Sequence, residues 1–312
     1  MNEEISRIIG IDVSKARLDI FIDGELWFVP NSWDAISKLA VDFTELQPKL
    51  IVVESSGGLE RILLAEFSSL GLPVALVNPR RVREFAKSIG LLAKTDKVDA
   101  KLLARFGEAV KPMPTKMPTV EEQHLSALLT RRRQVVDMLT MEKNHLCSAL
   151  PVTQDSINKL IAILHQELSD LDDQISQYID QFPDFKKKDE ILCSTPGIGK
   201  VTSATLISDL PELGSIDRKK IASLVGVAPF NNDSGRYRGK RRIKGGRSVV
   251  RTVLYMATIS AIKYNPVISP FYQHLLLQGK VKKVAIVACM RKLLTYLNAM
   301  IRESRPWCPS ST

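Results

Sequence analysis

The sequence predicts an α/β domain followed by a mainly helical remainder, and three observations carry that reading. Short strand-like runs alternate with helical ones from the N-terminus, a proline-rich stretch then interrupts the chain, and long apolar periodicities of helical spacing fill the C-terminal two thirds.

From the N-terminus, residues 6–13 read SRIIGIDV, a buried-strand pattern, and the runs 18–22 and 25–29 flank Asp23-Gly24, a hairpin signal. A helix over 34–46 leads past Pro48 to a strand at 50–54, and a second over 59–70 leads past Gly71-Leu72-Pro73 to a strand at 74–77. This alternation implies a mixed sheet with crossover helices. Basic helical residues Arg80, Arg81 and Arg83 come after Pro79, and a further helix opens at Thr95 or Asp96, either of which can cap it. The stretch Lys111-Pro112-Met113-Pro114-Thr115-Lys116-Met117-Pro118 cannot hold regular structure and reads as a linker.

Beyond it, Ile157, Ile161, Leu164, Leu168, Leu171, Ile175, Tyr178 and Phe182 alternate four and three apart, an a/d seam. The preceding segment keeps the spacing with Leu125, Leu129, Val136, Leu139, Leu146 and Leu150, although Arg132 and Lys143 occupy seam positions. A hairpin within one chain and an intermolecular coiled coil both explain this, and the long narrow seam favours the second. Helical patterns over 248–264 and 281–302 supply apolar faces to a third region. The domains expected are 1–115, 116–187 and 188–312.

Composition narrows the partners. Forty-four Lys and Arg against 34 Asp and Glu give a formal charge of +10, which points to a polyanion. At 45% hydrophobic and 25% charged residues the chain is neither disordered nor fibrous. No apolar run approaches the roughly 20 residues of a membrane span, and the acidic start Met1-Asn2-Glu3-Glu4 lacks a secretion pattern, so a cytoplasmic protein without a membrane partner is expected. Cys147, Cys193, Cys289 and Cys308 show no C-x-x-C pair, and His124, His145, His165 and His274 do not pair at ligand spacing, so no zinc site is expected.

Carboxylates carry the first chemical signal. Asp12 closes the first strand, Glu54 closes a later one, and Asp96 and Asp99 share a helical face. Singly, each reads as a strand end, a cap or a surface residue. Together they are oxygen ligands that suit Mg2+ or Mn2+ in a two-metal site for phosphoryl transfer. Their order resembles that of the RuvC-like nucleases of ribonuclease-H fold.

The second signal is basic and glycine-rich. Thr195-Pro196-Gly197-Ile198-Gly199-Lys200 reads either as a plain interhelical turn or as a helix-hairpin-helix, in which Gly197, Gly199 and Lys200 meet a phosphate. Between Arg236 and Arg251 every charged residue is basic: Arg236, Arg238, Lys240, Arg241, Arg242, Lys244, Arg247 and Arg251. Arginine forks suit phosphate oxygens, so these residues are candidates for nucleic-acid binding. Ser234, between Asp233 and Gly235, is either part of a tethering loop or a nucleophile toward phosphorus.

The whole set, in order, resembles the DEDD transposases of insertion sequences of the insertion-sequence-one-ten type and the related Piv-type DNA invertases. It comprises Gly10-Ile11-Asp12-Val13-Ser14-Lys15, Val53-Glu54-Ser55-Ser56-Gly57, Lys94-Thr95-Asp96-Lys97-Val98-Asp99-Ala100, the Thr195–Gly199 turn, Asp233-Ser234-Gly235 and Gly245-Gly246-Arg247 with Arg251-x-x-Leu254-Tyr255-Met256-Ala257. The resemblance implies a RuvC-like domain, a coiled-coil stalk and a C-terminal transposase domain with a helix-hairpin-helix-like turn. It makes Asp12, Glu54, Asp96 and Asp99 both catalytic and metal-binding, and Ser234 the nucleophile. It further implies donor and target DNA as substrates, a structured non-coding bridge RNA as guide, a homodimer or homotetramer, and a nucleoid-associated place in the bacterial cytoplasm. A RuvC-like structure-selective nuclease using metal-activated water, a Piv-type invertase, and a non-catalytic nucleic-acid scaffold are the alternatives.

Overall fold

The computed structural model of the protein describes residues 7–91, 96–115, 119–231, 233–234, 237–239 and 241–309. For Asp96, Lys97, Val98, Asp233, Ser234, Tyr237 and Arg238 it describes the backbone. The chain forms two compact units, Met1–Met117 and Pro118–Thr312.

In the first unit, β1 (Ile8–Val13), β2 (Arg17–Ile22) and β3 (Glu25–Pro30) form an antiparallel meander. Then come α1 (Trp33–Leu46), β4 (Leu50–Glu54), α2 (Arg61–Ser69), β5 (Val74–Val77), α3 (Pro79–Ser88) and α4 (Asp96–Val110). The β2–β3 turn is made by Asp23 at φ 50° and Gly24 at φ 93°, the left-handed pair that a two-residue hairpin demands. Crossovers place β4 parallel to β1 and β5 parallel to β4, so the mixed sheet has the order β3-β2-β1-β4-β5, consistent with a ribonuclease-H-like domain.

Strand alternation sorts the side chains into two layers. Ile9, Ile11, Ile20, Ile51 and Val53 pack under Ile36 and Phe43 of α1 and Leu63 and Phe67 of α2. Leu50, Val52, Ala75 and Val77 face the other way, against Val82 of α3 and Leu102, Leu103 and Phe106 of α4. Glycine lets α4 lie close: a Cβ on Gly10 would stand 2.1 Å from the Ala100 carbonyl oxygen, and one on Gly107 2.7 Å from Ile8 Cγ2. Those contacts also fix direction. Ala100 lies over Gly10 and Gly107 over Ile8, so α4 runs antiparallel to β1 and its first turn sits at the C-terminal edge of the sheet.

The expected linker begins without regular structure, but its start is anchored. Thr115 N–H donates to the Val74 oxygen at 2.8 Å, and Leu76 N–H donates to Thr115 Oγ1 at 2.9 Å, so the chain pairs along the outer edge of β5. Lys116, Met117 and Pro118 lie outside the described residues, as does Thr95, the capping position before α4.

The second unit opens with α5 (Val120–Ser148), started by a Thr119–Glu122 capping box, and α6 (Pro151–Gln181), with Pro151 in its first turn. These helices pair within the chain, which takes the hairpin alternative for the seam. Leu164 and Leu171 are buried with Val135 and Leu139, and Arg132 forks onto Asp172 at 2.5 and 3.1 Å. That ion pair explains a charged residue in a seam position. Val135, not Val136, is the buried partner, and Ile179 continues the buried face where Tyr178 is half-buried, because the pairing follows 3.6-residue periodicity rather than a strict heptad.

Next in the chain are α7 (Pro183–Cys193), α8 (Lys200–Asp209), α9 (Arg218–Val225), the two-residue strands β6 (Pro229–Phe230), β7 (Asp233–Ser234), β8 (Tyr237–Arg238) and β9 (Arg242–Ile243), and the helices α10 (Ser248–Tyr264), α11 (Ile268–Leu277) and α12 (Lys282–Glu303). Strand β6 pairs with β9 and β7 with β8. Helix α12 corrects the expectation that no apolar run nears membrane-spanning length: it has 22 residues, and an 18-residue window reaches a mean hydropathy of 1.5. Half of that window is buried, with Leu293, Leu294 and Leu297 in the core of this unit, and burial on one side is what made the helix so apolar.

Candidate active site

In the first unit, two of the expected carboxylates lie at one edge of the sheet, and a third, Asp99, lies on the helix whose first turn reaches that edge. Parallel pairing matches Ile11 with Val53, so the next residues, Asp12, one before the end of β1, and Glu54, the last of β4, lie on adjacent strands about 5 Å apart, on the face that α4 covers. Asp99 lies in the first turns of α4, and Asp96 is its first residue; the Asp96 side chain lies outside the described residues. Asp12, Glu54 and Asp99 are all partly exposed, and each offers oxygen alone, which fits a hard divalent cation. Among the described residues, no three His, Cys, Asp or Glu side chains close into a metal-binding group.

Four further residues shape this edge. Asp19 is directly opposite Asp12 in the β1–β2 register and is 4% exposed. Like charges so placed repel. Arg17 answers that repulsion: its Nε donates to Asp19 Oδ2 at 3.0 Å while its guanidinium lies 5.4 Å from the Phe28 ring centre. Arg83 of α3 reaches Asp99, Nη2 to Oδ1, at 3.6 Å. Glu60 organises the loop after Glu54. Its carboxylate accepts from Ser56 Oγ at 2.6 Å, Gly58 N–H at 2.9 Å, Ser56 N–H at 3.3 Å and Ser55 Oγ at 3.3 Å. The sequence signals were faint: Asp19 follows from strand alternation and the β1–β2 register, whereas nothing local marks Arg83 or Glu60.

Burial alone would raise the Glu60 carboxyl, but the hydrogen bonds from Ser56 and Gly58 hold it below its ordinary 4.5. A depressed folded-state pKa contributes stability above the ordinary value, lost as pH falls through the folded one. We therefore expect Glu60→Gln to lower the stability of this unit by about 1–2 kcal/mol at pH 7. Urea unfolding should show that penalty shrinking as the buffer is taken below pH ~4; a penalty constant with pH would show that the charge is not what holds the loop.

In the second unit, the basic segment is tied down where it rejoins the helices. Gly226, at φ 80°, and Gly246, at φ 77°, approach backbone to backbone, so a Cβ on Gly246 would stand 2.3 Å from the Gly226 nitrogen. Arg247 forks onto Glu212 at 2.5 and 2.6 Å, and Arg251 donates to the Gly245 and Val225 carbonyl oxygens. Those two guanidiniums thus have acceptors within the protein. Arg241, Arg242 and Lys244 are exposed. Arg236 and Lys240 lie outside the described residues, and for Ser234 and Arg238 only the backbone is described, in the β7–β8 ladder that sets Ser234 opposite Tyr237.

The Thr195–Gly199 turn joins α7 to α8. Gly197 stands at φ 103°, and a Cβ there would lie 2.7 Å from the Ala261 nitrogen of α10, so packing alone requires glycine. Gly199 has open space around it and an extended φ of −101°. Lys200 donates to Asp189 at 2.8 Å, a hydrogen bond that raises its pKa. Gly197→Ala should cost about 2–3 kcal/mol and Gly199→Ala under about 0.5 kcal/mol in thermal unfolding. Equal losses would refute the packing assignment. Burial pushes the thiols of Cys193 and Cys289 up to about 11, which leaves neither suited to nucleophilic chemistry.

The acid-edged mixed sheet together with the α5 helix that follows it, and the basic, glycine-anchored region, are the two segments that comparison with known proteins matches. Residues 9–154 match a DEDD profile of the IS110 type described as a transposase, and residues 189–273 match one described as the transposase IS116/IS110/IS902 family. The protein is thus a DNA-processing enzyme of the transposase and recombinase class. It is 31% identical to the pilin gene-inverting protein of Moraxella lacunata over 96% of this chain and 97% of that protein, with the same figures for the Moraxella bovis protein of that name. It is 22% identical to the transposase for insertion sequence element IS1111A of Coxiella burnetii, over 80% of this chain and 76% of that one. The chain belongs to the IS110/IS116/IS902 transposase family, with homology to the pilin gene-inverting proteins.

Proposed function

We propose that the protein is a DNA recombinase in which Ser234 attacks a scissile phosphate while Asp12, Glu54, Asp96 and Asp99 hold Mg2+ or Mn2+. The observation that carries the carboxylate half is the parallel register placing Asp12 beside Glu54, with the first turn of α4 at the same edge. Ser234 Oγ forms a bond to phosphorus, the bond from phosphorus to the 3′ oxygen breaks, the serine gives up its proton and the 3′ oxygen gains one. The phosphoserine conserves the bond energy for rejoining. A divalent cation, when bound, supplies charge neutralisation at the leaving oxygen. Arg17 and Arg83 limit repulsion among the carboxylates, and exposed Arg241, Arg242 and Lys244 engage the backbone of DNA or RNA.

Strand exchange of this kind is common to transposition and inversion, and full-length likeness to the pilin gene-inverting proteins keeps both within the proposal. Domains 1–115, 116–187 and 188–312, a dimer or tetramer, guidance by a structured bridge RNA and action on the bacterial nucleoid complete it; the +10 charge supports the nucleic-acid partners. The test is to purify the protein with its copurifying nucleic acid and supply DNA carrying the two ends of its element. Exchange that requires both Mg2+ and the copurifying RNA is expected. Exchange unaffected by ribonuclease would remove the guide, and strands cut but never rejoined would favour a RuvC-like nuclease.

A further inference from the structure

The pair made by Arg83 and Asp99 sets a cation on one of the acids proposed to hold metal. Helix α3 is fixed on the sheet by Val82 and Ala86, both buried, so the direction in which Arg83 projects is determined by packing. Its neighbour Arg81 lies over the Phe106 ring at 5.8 Å, whereas Arg83 turns to the first turns of α4 and Asp99. The Arg83 side chain is 33% exposed and that of Asp99 16%, so water and ions reach the pair. At 3.6 Å the contact is an ion pair too long for a strong hydrogen bond, and pairs of that kind are weak and readily exchanged.

We propose that Arg83 is a positioning residue for Asp99, holding its carboxylate in the cation-free protein and releasing it when a divalent cation binds, after which the guanidinium engages a nucleic-acid phosphate. This role rests on Asp99 belonging to the cation site proposed above. A doubly charged ion outcompetes one guanidinium for a carboxylate, and a guanidinium left without its acceptor beside that ion suits a phosphodiester, which its planar fork matches. The pair thereby supplies a reason for nucleic acid and metal to bind together: each removes a cost that the other would otherwise meet.

The experiment measures Mn2+ affinity of the full chain without DNA, counting free Mn2+ by electron paramagnetic resonance. It compares the natural protein with Arg83→Gln, Asp99→Asn, Arg83→Gln with Asp99→Asn, and Asp12→Asn. Arg83→Gln should tighten Mn2+ binding roughly two- to fivefold when Asp99 is present and leave it unchanged in the Asp99→Asn background. Tightening of equal size in both backgrounds would reduce Arg83 to a distant charge, and an unchanged affinity with a lowered melting temperature would reduce it to a structural tie; either overturns the proposal. Asp12→Asn separates the role of Arg83 from the existence of the site: weakened Mn2+ binding there keeps the cation site standing even if Arg83 fails, whereas unchanged binding removes both. In a companion titration, Arg83→Gln should weaken duplex DNA binding in Mn2+ but not in EDTA. Equal weakening in both would overturn the exchange of partners.

Discussion

Ser234→Ala is expected to abolish strand exchange, by about a thousandfold or more, because in the proposed reaction Ser234 Oγ is the group that forms the covalent bond to phosphorus. The substitution removes one oxygen from a residue of β7, whose pairing with β8 is made by the backbone, so folding should change by under about 0.5 kcal/mol. DNA and RNA affinity should likewise stay close to that of the natural protein, since the exposed basic residues are untouched. The assay is recombination of paired substrates, read beside a gel-shift titration and a melting curve. An alanine protein that still recombines would remove Ser234 as nucleophile.

Asp12→Asn and Glu54→Gln should each reduce activity at least about a hundredfold, and the double variant should be little worse than either single one. The two acids lie at the C-terminal ends of adjacent parallel strands, and the single cation site proposed for them would make them fail as a unit. Each neutral amide keeps the shape of its side chain at a partly exposed strand end, so the loss should appear in Mn2+ affinity by calorimetry rather than in stability. Multiplicative losses in the double variant, or Mn2+ binding unchanged in both singles, would dissolve the shared site.

Much of the first unit was legible in the sequence because its signals are local. Asp23-Gly24 can only be a tight turn between strand-like runs, and the apolar run of β4 is bounded by Pro48 and Glu54. The acidic edge was legible as a set of residue types, and the β1–β4 register turned Asp12 and Glu54 into neighbours. Features set by distant contacts were not legible. Arg247 looked like one of a run of phosphate ligands, yet Glu212 holds it, 35 positions away and unmarked by any motif. Gly197 looked like a phosphate-binding glycine, and its contact with Ala261 of α10 supplies a packing reason for it. The α6 seam read as a long heptad because apolar spacing cannot say which helix will cover it; α5 does so within the chain. Asp19 carries no local signal, because one aspartate in a strand means little until the register sets it opposite Asp12.

If DNA is cut by the Ser234 side chain and not by water, a covalent protein–DNA adduct must form, and a suicide substrate captures it. The protein is mixed with a suicide DNA substrate nicked beside the scissile phosphate, so that the leaving strand diffuses away and rejoining is blocked. Denaturation, nuclease trimming and peptide mass spectrometry then locate any nucleotide left on the chain. A phosphodiester-linked nucleotide on the peptide containing Ser234, formed in Mg2+ and missing from both Ser234→Ala and Asp12→Asn, is the predicted result. Cleaved DNA with free 5′ phosphate ends and no modified peptide would show that water is the nucleophile and make this chain a hydrolytic nuclease.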